Sequence, residues 1–240
     1  MKNKQMSLVL SLFPGIGLLD TAFEEQGFCV VRGPDLLWGG NIKLFHPPSG
    51  VFDGVIGGPP CQAHSRYAGI NRKIGNKIAE CLIPEFTRCV AESKPRWFLM
   101  ENVPQVPNVE IEGYIIYRLP FNMRWLGEKQ SRLRVWQFGT RTGIPLQPEI
   151  AVFEHQEIES CCLASEGKAG RITNSRHNGQ QKSIYRKRRE FSQFCELQGL
   201  PADFLSDSPF AATEKYRIVG NGVPLPMGRA IAKAVKLAVG

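Results

Sequence analysis

The chain has 240 residues, 42% of them hydrophobic and 22% charged, which excludes a wholly disordered or fibrous polypeptide and leaves room for one sizeable core. No apolar run reaches eighteen residues, and the apolar stretch in "MKNKQMSLVLSLFPGIG" meets Gly and Pro too soon for a signal peptide, so a soluble protein with no membrane partner is expected. Seven cysteines without a C-x-x-C pair and only four histidines fit neither a disulfide framework nor a zinc quartet, which points to reduced thiols, a cytoplasmic setting and no metal, while a formal charge of +8 favours encounter with a polyanion such as nucleic acid.

Taken in chain order, "SLVLSLF" reads as a short buried strand that stops at "PGIG". The following "LLDTAFEEQGF" has helical spacing of Leu19, Ala22 and Phe23. "FCVVRGPD" is a second strand running to Asp35, and "FDGVIGGPP" a third running to Cys61. "NKIAECLIPEFTRCVAESK" predicts a helix with Ala79, Leu82, Ile83, Phe86 and Val90 on one stripe. "RWFLMENV" is a buried strand carrying Glu101 at its end, and "EGYIIYRL" and "RLRVWQFGT" are two more strands. Apolar strands alternating with helices predict a parallel sheet covered on both faces, with ligands at the carboxyl ends of the strands, where Gly15, Asp35, Cys61 and Glu101 all fall.

Beyond Gly143 the texture becomes polar and basic, in "KAGRITNSRHNGQQKSIYRKRR", a stretch unable to build a core by itself. The chain then returns to a helical "EFSQFCELQGLP", a turn "RIVGNGVPLP" and a small-residue helix "MGRAIAKAVKLAV".

Several residues carry chemistry. Cys61 follows two prolines where the apolar strand has ended; a thiol there is either a small hydrophobe at a turn or a nucleophile, and His64, Arg66 and Arg72 nearby would favour its thiolate. Glu101 carries a carboxylate to the end of an apolar strand, where burial would raise its affinity for a proton, or an arginine would pair with it. The turn containing Phe13, Gly15 and Gly17 would let backbone approach a nucleotide-like cofactor, with Asp35 accepting from ribose hydroxyls, or would merely allow tight packing. Alternation in "QSRLRVW" places Gln130, Arg132 and Arg134 on one strand face, and two neighbouring guanidiniums call for an anion. Asn221, between two glycines, reads as a turn tolerant of positive φ.

The ordered set "FPGIG", "GGPPCQ", "ENV", "QSRLR", "LQGLP" and "GNGVP" resembles the S-adenosylmethionine-dependent DNA cytosine C5-methyltransferases, from Leu12 to about Lys236. The resemblance implies an α/β fold, a Rossmann-like class I methyltransferase sheet with helices on both faces, plus a small, reduced target-recognition region. It implies that Cys61 adds to C6 of a cytosine flipped out of double-stranded DNA. Glu101 would contact N3 and the exocyclic amine, and Arg134 with Arg132, in the motif that begins at Gln130, would hold the cytosine carbonyl and nearby backbone. S-adenosylmethionine would be bound by Phe13, Gly15, Ile16, Gly17, Asp35, Asn41, Pro60 and Asn221.

The chain also departs from that pattern. Leu18 stands where a further glycine is usual, Asn41 where an aspartate meets the adenine, and Ala63-His64 where a small residue and an aromatic precede Ser65. The helix between Asp35 and Asn41 is missing, and the gap from Glu101 to Gln130 is short for a helix and strand. The expected division is a catalytic and cofactor-binding domain over 1–142, a target-recognition region over 143–187 with Lys168, Arg171, Arg176, Lys182 and Arg186 on phosphates, and a returning segment over 188–240. A monomeric DNA cytosine-5 methyltransferase, of the restriction-modification or mobile-element kind, is the expected activity. A non-catalytic homologue that binds DNA or cofactor, and C5 methylation of RNA or free nucleotides, are the alternatives.

Overall fold

The computed structural model describes residues 6–60, 80–151, 157–168, 172–177, 180–185 and 188–240, with backbone alone for 172–177 and 180–185. Strands β1 (Leu8–Leu12), β2 (Cys29–Arg32), β3 (Gly54–Gly57), β4 (Trp97–Asn102), β5 (Ile115–Asn122) and β6 (Leu133–Thr140) form one sheet in the order β2-β1-β3-β4-β6-β5. Two further strands, β7 (Ile172–His177) and β8 (Gln180–Tyr185), pair in a separate two-stranded sheet. Among the described residues the α-helices are α1 (Leu18–Glu25), α2 (Ile83–Ser93), α3 (Phe191–Leu197), α4 (Ala212–Asn221) and α5 (Leu225–Val239).

The central strands are nearly continuous apolar runs because both sheet faces are covered. Period-two alternation sorts their side chains: Val9, Ile56, Trp97 and Leu99 pack with α1 and α5, while Leu10, Leu12, Val55, Phe98 and Met100 pack with α2. Phe86 and Val90 of α2 are fully buried, each contributing about 2 kcal/mol from apolar area removed from water. On the other face α5 lies close to α1 because Gly228 carries no side chain; a Cβ there would stand 3.0 Å from Ala22 Cβ.

The sheet is mixed rather than parallel. β1 pairs in parallel with β2 and β3, and β3 with β4, but β6 runs antiparallel to both β4 and β5. A parallel crossover needs a dozen or more residues and usually a helix. Between β5 and β6 the chain makes only a 3-10 turn over Met123–Leu126, so β6 returns beside β5 and inserts next to β4. The short gap after Glu101 therefore holds a strand and no α-helix.

Other element expectations also shift. α2 begins at Ile83, with Pro84 in its first turn, where proline's missing N–H is tolerated; Ala79, expected on its stripe, lies outside the described residues. "RIVGNG" is the end of α4, not a turn. Gly220 and Gly222 avoid contact rather than supply positive φ: a Cβ on them would stand 2.7 Å from Ala164 N and 2.8 Å from Leu18 Cδ1. The paired strands β7 and β8 were not read from the polar stretch. Between Asp35 and Asn41 the chain makes one 3-10 turn, Leu36–Trp38, and no α-helix, as expected, and a second 3-10 turn, Ile42–Leu44, follows Asn41.

Candidate active site at the carboxyl ends of the parallel strands

Glu101 is the penultimate residue of β4, opposite Trp136 of β6 in the antiparallel register. Arg134 lies two residues from Trp136 and so shares its face, a diagonal position within reach of a long side chain. Arg134 Nε stands 2.9 Å from Glu101 Oε1, both side chains being more than four-fifths buried. Burial, and then the neighbouring Arg132 cation, lowers the Arg134 pKa against the pull of Glu101; an arginine so placed still carries its charge.

The other Glu101 oxygen faces the end of β3. A Cβ on Gly58 would stand 3.1 Å from Glu101 Oε2, so glycine there lets the strand-end backbone pass the carboxylate closely. One residue beyond Glu101, buried Asn102 donates from Nδ2 to the Pro59 carbonyl at 3.0 Å and accepts from Val103 N at 2.8 Å. Pro60 N-terminal to Cys61 is exposed, and its carbonyl accepts from Leu82 N at 3.3 Å, tying this corner to the start of α2. Cys61, with His64, Arg66 and Arg72, lies outside the described residues.

The sequence motif that begins at Gln130 divides by its contacts. Gln130 is fully buried: its Nε2 donates to Leu197 O at 2.6 Å and Gln198 Oε1 at 3.1 Å, and its Oε1 accepts from Cys162 N at 2.9 Å. Gln198 in turn donates to Val219 O at 2.7 Å. Arg132, 3% exposed, donates to Cys162 O at 2.9 Å, Gly220 O at 3.0 Å and Gly222 O at 3.2 Å, with Cys161 Sγ at 3.3 Å. Gln130 and Arg132 thus lie ahead of β6 and tie distant backbone together. Of the three residues expected on one face, Arg134 alone meets Glu101; the anion called for by two neighbouring guanidiniums serves one, and carbonyl oxygens and a thiol serve the other.

A second cluster sits at the end of β1. Phe13, Gly15 and Gly17 have φ of 57°, 55° and 79°. For Gly15 the surroundings are open, nothing lying within 4 Å of a Cβ placed there. Asp35 Oδ2 accepts from Gly15 N at 2.9 Å and Oδ1 from Leu37 N at 2.7 Å, which leaves lone pairs on both oxygens. Trp38 donates from Nε1 to Gly15 O at 2.7 Å while remaining 63% exposed, beside a 73% exposed Leu36. Asn41 caps its 3-10 turn by accepting from Lys43 N at 3.0 Å and is exposed. Asn221 is also exposed, at the end of α4, where Gly222 packs on Leu18 of α1. Ile16 packs against the α1 side of the core.

Sequence reasoning singled out neither Trp38 nor Asn102 as an individual. A tryptophan amid exposed apolar residues was the available signal for the first. For the second there was only its place in "ENV", since its partner Pro59 is 43 positions away.

The family model described as C-5 cytosine-specific DNA methylase matches residues 40–193, a span containing Cys61, Glu101, Gln130, Arg132 and Arg134. The chain is 28% identical over 171 residues to the type II methyltransferase M.NgoPII of Neisseria gonorrhoeae, covering 58% of this chain and 49% of that protein. It is 31% identical over 165 residues to the type II methyltransferase M.FnuDI of Fusobacterium nucleatum, covering 55% and 46%. The chain therefore spans about half the length of these curated relatives. Among solved structures, the Entamoeba histolytica methyltransferase EhMeth superposes with a TM-score of 0.61 at 14% identity, over 97% of this chain and 98% of that one. That likeness shows a shared Rossmann-like α/β fold.

Proposed function

Because the chain belongs to the C-5 cytosine-specific DNA methylase family, we propose that it transfers a methyl group from S-adenosylmethionine to C5 of cytosine in double-stranded DNA. The observation that carries this reading is the convergence of Glu101, its partner Arg134 and the Gly58–Pro60 backbone at the adjacent carboxyl ends of β3 and β4. Cys61 follows that backbone directly in the chain.

Cytosine C5 is a poor nucleophile until the 5,6 double bond is saturated. The Cys61 thiolate attacks C6, forming an S–C6 bond and moving the π electrons toward C5 and the ring N3. Glu101 meets N3 and the exocyclic amine, and Arg134 beside it supports the developing negative charge in a partly dry crevice. Once C5 carries the methyl group, its proton leaves to a base, the S–C6 bond breaks, and the double bond returns. The target must leave the helix for these contacts, so the base is flipped.

The residues at the end of β1 fit S-adenosylmethionine, since Gly15 leaves open space, Asp35 keeps free lone pairs and Trp38 presents an exposed indole. Phe13, Gly15, Ile16, Gly17, Asp35, Asn41, Pro60 and Asn221 would hold it. The cofactor supplies an electrophilic sulfonium methyl group. Asp35 accepts from the ribose hydroxyls, and the left-handed turn brings backbone close without a side chain in the way.

The test is expression in cells free of DNA methylation followed by bisulfite sequencing, with a 5-fluorocytosine duplex offered to the purified protein. The expected result is 5-methylcytosine in a defined context and a covalent adduct that Cys61→Ala does not form. Absence of both would overturn the reading; transfer to tRNA or dCMP instead of duplex DNA would correct the substrate.

A further inference from the structure

Ser11, Asp20 and Arg32, which belong to neither cluster described above, meet beside the turn that follows β1. Asp20, in the first turn of α1, is 1% exposed. Its Oδ1 accepts from Ser11 Oγ at 2.5 Å and its Oδ2 from Arg32 Nε at 2.9 Å. Ser11 of β1 and Arg32 of β2 are register partners in the parallel pair, so both side chains leave the sheet on the face that α1 covers. The Arg32 guanidinium then reaches Gly17, which caps α1: a Cβ there would stand 2.7 Å from a terminal Arg32 nitrogen. Strand, helix, neighbouring strand and turn thus close a ring around the backbone from Phe13 to Gly17.

Stability does not account for the ring. Replacing a buried ion pair by well-packed apolar residues is often neutral or stabilising, because desolvation consumes the Coulombic gain. Burial pushes the Asp20 carboxyl up, with the Ser11 hydroxyl and the Arg32 cation opposing that shift. The adjoining turn has a use for such an anchor. Phe13, Gly15 and Gly17 all have positive φ, and backbone of this kind, above all at a phenylalanine, persists only where its surroundings over-determine it. Asp35 and Trp38 bond the middle of the turn at Gly15. The ring fixes its two ends, through Ser11 before Phe13 and through Arg32 against Gly17.

We propose that Asp20, acting through Ser11 and Arg32, is the positioning residue of the cofactor turn and holds the left-handed backbone of Phe13–Gly17 in its binding shape before S-adenosylmethionine arrives. The proposal rests on the cofactor reading above and names what preorganises that site. A turn already ordered spares the cost of ordering it on binding, so loss of the ring appears as lost affinity.

The test uses the full chain without DNA and measures amide hydrogen exchange, S-adenosylmethionine binding by calorimetry, and the melting temperature. The Arg32 side chain is half-exposed, so Arg32→Met is expected to fold. It should speed exchange of the Gly15 and Gly17 N–H groups, which bond Asp35 and Pro14 O, by about tenfold while β3 is unchanged. Cofactor binding should weaken by about tenfold or more. The triple variant Ser11→Ala, Asp20→Leu, Arg32→Met is expected to show the same losses while melting no lower than the parent. In methyl transfer the KM for the cofactor rises and kcat stays within about threefold, since the turn binds ground and transition states alike. Affinity that Arg32→Met leaves unchanged, or losses in the triple variant that only track a lower melting temperature, overturn the proposal while the cofactor reading stands. A parent that binds no S-adenosylmethionine overturns the cofactor reading; faster exchange in its variants then still supports the ring's hold on the turn, and unchanged exchange removes that as well.

Discussion

Asn102, at the end of β4, donates from its side-chain amide to the carbonyl of Pro59 at 3.0 Å, and so one strand end holds the backbone that leads from the next into Cys61. The adjacent Glu101 carries the carboxylate proposed to meet the cytosine. On the proposed reading, two consecutive residues would divide the work, one aligning the nucleophile's approach and the other facing the base. Asn102→Ala leaves the Pro59 carbonyl without its partner in a buried place and is expected to cost about 1–3 kcal/mol of stability. Methyl transfer should fall by about tenfold or more in protein that is still folded, because small misplacements of reacting groups are costly. Thermal unfolding and single-turnover transfer, measured on one preparation, check both.

Cysteines provide an internal control. Cys61→Ala should abolish transfer and leave the melting temperature nearly unchanged. Cys89 is fully buried against α2's core partners, and burial pushes its thiol up to about 11, so it is a protonated core group at neutral pH. Cys89→Ala should retain transfer and lose about 1 kcal/mol of stability. Transfer rates and denaturant midpoints for the two variants separate the roles.

Arg132 and Arg134 should respond oppositely to substitution. Arg132→Met strands the Cys162, Gly220 and Gly222 carbonyls, and each buried unmet acceptor costs on the order of 1 kcal/mol or more. Arg134→Met should unfold less readily than Arg132→Met yet lose more transfer activity per folded molecule. Urea unfolding normalised against active-site titration distinguishes them; equal behaviour would remove the division between a positioning and a substrate-facing arginine.

Alkaline pH is expected to destabilise the fold through buried thiols. Burial pushes Cys89 and Cys195 up to about 11 and Cys162 up to about 12, from 9.0. In the unfolded chain these groups lose protons from about pH 9 upward, while the folded state keeps them. Stability is therefore intact below pH 9 and declines as pH rises toward 11 to 12, on the order of 1 kcal/mol per pH unit for each thiol. Unfolding free energies across that window, in parent and Cys162→Ala, check the sign and the source.

Binding to duplex DNA should weaken by about tenfold or more between roughly 50 and 200 mM salt, since Lys168 and the basic residues near it would displace counterions. A flat response over that range would remove the basic stretch from the interface. Fluorescence anisotropy with one labelled duplex is sufficient.

The strands of the sheet core were legible because their signal is local. The continuous apolar runs "LVLSL" and "WFLMEN" read as buried strands, and their successive residues divide between two core clusters on opposite faces. The family was legible in the spacing of short motifs, and the match over residues 40–193 agrees with it. The β7–β8 pair was not read from a polar stretch lacking apolar alternation, although "HNGQ" contains the Asn-Gly pair that favours hairpin turns. The glycines of "RIVGNG" suggested a turn, whereas they are small because Ala164 and Leu18 press on a helix end.

From sequence alone came the residue types of the candidate site, the strand ends proposed to carry them and the family, because each depends on neighbours within a few positions. Tertiary structure decided how those residues are used. Antiparallel insertion of β6 put Arg134 beside Glu101, and carbonyls 88 and 90 positions away turned Arg132 inward. A guanidinium's role follows from which acceptors surround it, and those acceptors come from parts of the chain that meet only when the sheet has closed.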